Sequence, residues 1–564
     1  MKSVNVLLKR PAAVLAAALF TAAPALAQSA GPAAHAAARA RASTTGPAGI
    51  LLDVSGADLT AQAGRNWPSY NGDYTGRRYS AQKQLTPANV HKLAPQWVFH
   101  TRATDRLENT PVVMDGIMFV TAANDCYAID ARTGRVIWHY SRPISEGLID
   151  DASSHHNRGV ALWHGRVYME TDNAHLLCLD ARSGNLLWDV MYADVTKDNY
   201  GATSSPLVVK NEVLVGTSGG DDGVRGFLAA YDTVTGKQKW RFWTIPGPGE
   251  KGNESWPGEM YKRGGGTTWM PGTYDPELNT LYWGTGNPAP DFYGAGRPGD
   301  DLYTDSVVAL NPDTGKLKWY YQFTPHDLGD YDSVETPVLV DAIYHGRPRK
   351  LLLEANRNGF MYVLDRTNGK FLAATPFSDT INWAKGIDAN GRPIKTGIIP
   401  TPDGNKLCPS YGGATNWYSP SYNPSEHLFY FLGNDSCNIF VAKPQEYAYG
   451  TPFYATGTRR VPGENVNRWL MAYDLDTGKF AWRYKQLGRG GAGGTMTTAG
   501  GLVFFGDYSE ALEAVDARSG RPLWHFELGQ SITASPMSYA LDGRQYVAID
   551  AGSDVFSFAL PPSR

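Results

Sequence analysis

Hydrophobic and polar positions along the chain fall into one recurring phrase. A small or apolar residue is followed by Asp or Asn, two variable residues, Thr/Ser-Gly, and a Trp four positions beyond the Gly. It reads AIDARTGRVIW (128–138), CLDARSGNLLW (178–188), AYDTVTGKQKW (230–240), ALNPDTGKLKW (309–319), AYDLDTGKFAW (472–482) and AVDARSGRPLW (514–524). A weaker copy, VLDRTNGKFL (363–372), has lost its Trp, and Trp97 in APQWVFH is spaced like one more. The phrase predicts a hairpin in which the Asp side chain closes the turn, the Gly takes a positive φ, and the Trp lies on the outer strand between neighbouring sheets. Counting Trp97 and the weak copy there are eight units, with insertions before Trp319 and Trp482. Units of this size, each a small antiparallel sheet, close into a ring that hides their edges. The expected fold is all-β, an eight-bladed propeller, with the last strands (543–560) beside the first. Seven of the 16 Trp are thereby scaffold.

Composition agrees. Of 564 residues, 61 are Gly, 36 Pro and 31 Tyr, as frequent turns between aromatic strands require. With 42% hydrophobic and 19% charged residues, the chain can bury a large core. A formal charge of −3 offers no broad basic field, which argues against nucleic acid as a partner.

The N-terminus reads as an export signal. Lys2, Lys9 and Arg10 precede the apolar run 12–20, and Ala25-Leu26-Ala27 forms a small-residue cleavage site. Residues 1–27 are therefore expected to be removed, 28–60 to form a flexible leader, and 61–564 to form the propeller, in a bacterial periplasm. No later stretch reaches the ~18 apolar residues that a membrane span needs. Cys126, Cys178, Cys408 and Cys437 suit an oxidising compartment, with Cys408–Cys437 the preferred disulfide and Cys126 and Cys178 left open between a pair and buried thiols. No CxxCH motif occurs, so the chain carries no covalent c-type haem.

Chemistry must come from the segments that interrupt the repeat. These are DRLENTP (105–111), HHNRG (155–159), SGGDDGVRG (218–226), RGGGTTW (263–269), WGTGNPAP (283–290), TPHDLGDYD (324–332) and EANRNG (354–359). In a propeller they converge on the channel mouth. Asp221, Asn287, Asp330 and Asp332 would offer oxygen ligands to a hard cation, whereas zinc-spaced His and Cys are absent. His155-His156 is a poor metal pair, since adjacent strand residues face opposite ways.

These segments, together with the docking repeats, resemble the quinoprotein alcohol dehydrogenases, relatives of methanol and ethanol dehydrogenases that use pyrroloquinoline quinone (PQQ). The resemblance runs from about residue 66 to the C-terminus. It implies Asp330 as catalytic base and Arg357 at the reactive quinone oxygen. It implies Trp269 as the floor under the quinone ring, and Glu108, Arg158, Thr203, Ser218, Gly219, Gly220 and Asn416 as further cofactor contacts. Asp221, Asn287, Asp330 and Asp332 become the metal ligands. An acid at Asp332 resembles lanthanide-using members, so a lanthanide(III) is favoured over Ca2+. The implied partners are a small-molecule alcohol and a soluble cytochrome c that accepts the electrons. The sequence leaves a homodimer open.

The chain departs from the family in three places. Ala152 and Ser153 stand where a vicinal cysteine pair is usual. Asp291 and Gly329 stand where Trp is common, which implies a roomier or more polar substrate site. The rival reading is a cofactor-free propeller that serves as a periplasmic binding or assembly scaffold, like the outer-membrane assembly lipoprotein. That reading requires a lipobox Cys after the signal, which the chain lacks.

Overall fold

The computed structural model describes residues 52–562 other than Ser154. The expected signal peptide lies outside the described residues. The protein has an all-β propeller fold. Among the described residues there are seven four-stranded sheets and one five-stranded sheet, plus a three-stranded and a two-stranded sheet in excursions.

Each repeat folds as its residues dictate. In the first, Asp125–Asp130 pairs antiparallel with Val136–Ser141. The Asp130 carboxylate accepts the Arg132 N–H at 2.7 Å and its carbonyl accepts the Gly134 N–H at 2.8 Å. Gly134 sits at φ +72°, the left-handed region that Gly enters without steric cost.

The tryptophans explain why that Gly is required twice over. A Cβ on Gly134 would lie 2.8 Å from the Trp97 ring, one on Gly184 2.7 Å from Trp138, and one on Gly315 2.4 Å from Trp240. Gly369 and Gly520 bear the same relation to Trp319 and Trp482, at 2.5 and 2.6 Å. Each of these five Trp therefore lies against the turn of the next repeat. Several also donate their indole N–H to a carbonyl there: Trp97 to Ala131, Trp138 to Ala181 and Trp482 to Ala517, at 3.0–3.2 Å. The copy that lost its Trp leaves a matching gap, since Gly478 in the following repeat meets nothing nearer than the Tyr473 hydroxyl at 3.7 Å.

The chain ends meet as expected. Ala94–His100 pairs antiparallel with Asp554–Ala559, so the first docking strand completes the last sheet. The insertion before Trp319 carries short 3-10 turns at Asn253–Ser255 and Met260–Arg263, and the one before Trp482 carries the three-stranded excursion. Cys408 and Cys437 form a disulfide, while Cys126 and Cys178 are buried free thiols.

The ordered body starts earlier than residue 61. Leu52, Val54 and Leu59 are buried in the core, and Gly56–Thr60 is a short helix whose Ser55 cap bonds Asp58. The Ala- and Gly-rich surroundings conceal this seam, because three apolar side chains are too few to set a period.

Candidate active site

Strand topology gathers the site. Glu108, Arg158, Thr203, Trp269 and Asp332 each precede the first strand of a sheet: Val112–Met114, Ala161–Trp163, Leu207–Val209, Thr273–Asp275 and Val338–Tyr344. Ser218, Asn287 and Arg357 each follow a second strand: Glu212–Val215, Thr280–Gly284 and Arg347–Ala355. In an antiparallel pair the start of one strand and the end of the next lie side by side. Residues some 250 positions apart thus reach one end of neighbouring sheets.

There all of them but Asn287 line a cavity of about 260 Å³. Its wall includes Glu108, Arg158, Thr203, Ser218, Gly219, Gly220, Asp221, Trp269, Asp330, Asp332 and Arg357, all singled out from the sequence. Arg106, His156, Thr267 and Trp417 also line it and were missed. Trp417 stands directly beside Asn416, and its place outside the Asp-x-x-Thr/Ser-Gly phrase was the available signal.

One wall is cationic and aromatic. Arg158 donates to a Glu108 carboxylate oxygen at 2.5 Å and to the Thr203 carbonyl at 2.7 Å. Its guanidinium lies 4.9 Å from the Trp269 ring centre and 4.6 Å from that of Trp417, so the two indoles flank it. His156 Nδ1 lies 3.3 Å from Glu108, and burial holds its pKa below the usual imidazole value.

A second wall is backbone. Gly219 has φ +90°, and a Cβ there would lie 2.2 Å from the Asn199 carbonyl. The turn it allows leads into Gly220–Asp222. Ser218 donates its hydroxyl to the Ala152 carbonyl. Ala152, at the position expected of a vicinal cysteine, has its Cβ 3.4 Å from where a Gly219 side chain would begin.

The third wall is acidic and holds one cation. Arg357 donates to Asp332 at 2.6 Å and to Asp330 at 3.2 Å, and a further bond runs to the Tyr411 carbonyl at 2.5 Å. Burial opposes the charge on Arg357, but Asp330, Asp332 and Glu335 outweigh it and hold the proton more firmly than in water. Burial pushes the Asp330 carboxyl well above its usual range; Arg357 pulls the other way, and Asp221 and Asp332 add to the push. Asp330 also takes φ +59°, an uncommon backbone conformation for a residue with a side chain, of the kind found at active sites.

Asn287 and Asn416 lie outside the cavity lining. The Asn287 backbone N–H donates to Asp332 at 2.6 Å, and its buried Nδ2 has no partner. The Asn416 amide donates to the Gly412 carbonyl at 3.0 Å and its oxygen accepts the Trp417 N–H at 2.8 Å, so it shapes the turn that presents Trp417.

The two Trp departures also resolve. A Cβ on Gly329 would lie 2.6 Å from the Tyr331 ring, so that ring, anchored by its hydroxyl to the Pro409 carbonyl at 2.7 Å, fills the space and no room is gained there. Asp291 is 2% exposed with Oδ1 unpartnered. Burial, together with Asp221 and Asp330, lifts its carboxyl well above the usual range.

Among the described residues no group of three or more His, Cys, Asp or Glu is closed around an ion position. The donor set still fits a hard cation. Buried carboxylates face one another with Arg357 as their local counter-charge, and the amide of Asn287 is left unsatisfied beside them. The Arg158, Trp269 and Trp417 side suits a flat anionic ring.

Comparison with known proteins agrees. Residues 67–376 and 483–547 match the PQQ family described as glucose/ethanol/alcohol dehydrogenase, beta-propeller domain. The chain is 39% identical to the quinohemoprotein alcohol dehydrogenase of Comamonas testosteroni over 90% of this chain and 76% of that one. It is 35% identical to the lanthanide-dependent methanol dehydrogenase of Methylacidiphilum fumariolicum over 87% of this chain and 84% of that one. The solved structure of quinohemoprotein alcohol dehydrogenase ADH IIG from Pseudomonas putida superimposes with a TM-score of 0.86 at 33% identity, covering 92% of this chain and 85% of that one. The chain belongs to the PQQ-dependent alcohol dehydrogenases.

Proposed function

We propose that this chain oxidises an alcohol to an aldehyde or ketone in the bacterial periplasm, as an eight-bladed quinoprotein whose electrons pass to a soluble cytochrome c. The observation that carries this reading is the convergence of Glu108, Arg158, Trp269, Asp330 and Arg357 on one cavity. The cofactor-free scaffold reading is not favoured, since the relatives are enzymes.

PQQ would lie along Trp269, with Glu108, Arg158, Thr203 and Ser218–Gly220 meeting its polar edge, and supplies an electrophilic carbonyl that accepts hydride when bound. Asp330 then serves as general base. Its carboxylate lines the cavity beside Arg357, at 3.2 Å, where it can take the proton on the alcohol oxygen. Arg357, held protonated by its acidic neighbours, steadies negative charge that grows beside it. Trp269 and Trp417 exclude water from the flat faces of the slot.

Asp221, Asp330, Asp332 and the Asn287 side chain would hold the metal ion. A lanthanide(III) is favoured over Ca2+, because Asp332 adds a third carboxylate and Asp291 a further acid close behind. Such an ion competes with Arg357 for Asp332.

The test is reconstitution. Protein loaded with PQQ and either Ca2+ or La3+ should reduce a dye in the presence of alcohol, faster with La3+. Protein that takes up neither PQQ nor metal would overturn the reading.

A further inference from the structure

Asp291 stands where Trp is common in the family, yet it widens no substrate space, since it does not line the cavity. The backbone fixes where it sits. On one side, the Asp221 carbonyl accepts the Phe453 N–H at 2.8 Å, and the carbonyl of the next residue, Tyr454, accepts the Phe292 N–H at 3.1 Å. Two consecutive residues of the second insertion therefore tie the Asp221 loop to Asp291–Phe292. On the other side, one nitrogen of Arg297 donates to the Pro290, Asp291 and Asp327 carbonyls, at 3.0, 3.3 and 2.7 Å. The Asp327 carboxylate in turn accepts the Gly329 and Tyr331 N–H groups, at 2.9 and 2.7 Å, which flank Asp330. Asp291 is thus held between the Asp221 and Asp330 loops, four residues after Asn287.

Its side chain is left unanswered there. Asp291 Oδ1 is buried with no partner, as is the Nδ2 of Asn287. Arg297 takes its own ion pair elsewhere, with Asp301 at 2.5 Å, both side chains fully buried. Besides burial, the charges that act on the Asp291 carboxyl are those of Asp221, Asp330, Arg297 and Asp332, so the expected metal ligands are its surroundings. A carboxylate taken out of water keeps its charge when a cation faces it.

We propose that Asp291 is a further ligand of the metal ion, joining Asp221, Asn287, Asp330 and Asp332 from outside the cavity lining, and that its charge commits the site to a trivalent cation. The inference rests on the metal site proposed above and adds to it a residue that relatives with Trp here cannot supply. The charge balance points the same way. Among the groups that would touch the ion and the guanidinium that bonds them, four carboxylates and Arg357 leave three negative charges, which match a lanthanide(III). With Trp in place of Asp291 two would remain, the complement of Ca2+. Hard cations of this kind accept many oxygen ligands, so one more carboxylate is accommodated in place of a water.

The experiment titrates PQQ-loaded protein with Eu3+ and, separately, with Ca2+, for the wild type, Asp291→Asn and Asp291→Ala. The decay of Eu3+ emission in H2O against D2O counts the water molecules on the ion, a readout independent of turnover. The expected result is one more water on Eu3+ in Asp291→Ala than in the wild type. Asp291→Asn keeps the size of the side chain and should weaken Eu3+ binding at least about 100-fold, the upper end of what a residue that merely supports a ligand costs. Because attraction scales with the product of the charges, the loss for Ca2+ should be about two-thirds as large on a logarithmic scale. Thermal melts of the metal-free proteins check folding, and Asp291→Asn should melt no lower than the wild type, since it removes a buried carboxylate without a full set of partners. An unchanged water count overturns the inference even if Eu3+ binds more weakly, because Asp291 then acts as a charge at a distance. Equal losses for the two ions overturn the claim that Asp291 selects a trivalent one. In either case the wild type still binds a cation, and the metal site proposed above stands. A wild-type protein that takes up neither Eu3+ nor Ca2+ overturns both.

Discussion

The docking belt and the hub are built from the same residue types and use them in opposite ways. In the belt, each turn Asp is satisfied at once by its own loop: Asp180 accepts the Arg182 and Ser183 N–H groups and the Ser183 hydroxyl, and Asp232 does the same for Val234 and Thr235. At the hub, Asp291 Oδ1, Asn287 Nδ2 and Arg357 Nε are buried without partners, and Asp330 and Asp332 share a single guanidinium. Unmet polar capacity inside a folded protein marks where something else binds or reacts. The belt therefore carries stability and the hub carries chemistry, and substitutions should separate the two.

The largest separation is expected at Asp330. An Asp330→Asn protein should fold and still take up PQQ, yet lose about 10²- to 10⁴-fold in kcat, the usual worth of a positioned general base. Dye-reduction kinetics alongside a thermal melt check this; an unchanged kcat removes Asp330 from the mechanism. The converse is expected at Gly315. Gly315→Ala places a methyl 2.4 Å from Trp240 at φ +67°, and should cost about 2–4 kcal/mol of stability while activity per folded molecule holds. Denaturant unfolding measures it, and a loss confined to activity would contradict the division.

A smaller effect probes the aromatic slot. Arg158→Lys keeps the charge but loses the planar fork between Trp269 and Trp417, and should weaken PQQ binding about tenfold with little change in kcat at saturating cofactor. Fluorescence titration with PQQ reads it. The smallest effect is a pH dependence at Glu170, buried at the hub end of Arg166–Thr171. Burial raises its pKa from 4.5 to about 8, so the folded state holds a proton that the unfolded chain gives up. The stability this contributes is complete below about pH 4.5 and fades as pH climbs towards 8. Glu170→Gln should flatten that decline in unfolding measured across pH 5–8; an identical slope would show that Glu170 is not its source.

Legibility in the sequence followed the same division. The hairpin turns, the positive-φ glycines, the docking of Trp97 and the meeting of the two ends could be read because each depends on residues a few positions apart or on a repeated phrase. The hub could not be read that way. Asp221, Asp330 and Asp332 look like turn acids until distant loops bring them together, so their assignment depended on the resemblance to a family. Trp417 and Asn416 exchanged places, because one supplies the surface and the other only holds the turn. Nothing local told that Tyr331 would occupy the space beside Gly329. The start of the ordered body was missed because Leu52, Val54 and Leu59 dock on the ring without a repeat of their own.

The most direct measurement is the stoichiometry of PQQ and metal on purified protein, by absorbance titration and elemental analysis, for the wild type and for Asp221→Ala. One PQQ and one cation per wild-type chain, with cation uptake lost in the variant, is the predicted result. PQQ bound equally well without any cation, or a cation retained at full affinity after Asp221 is removed, would contradict a hub assembled to hold the two together.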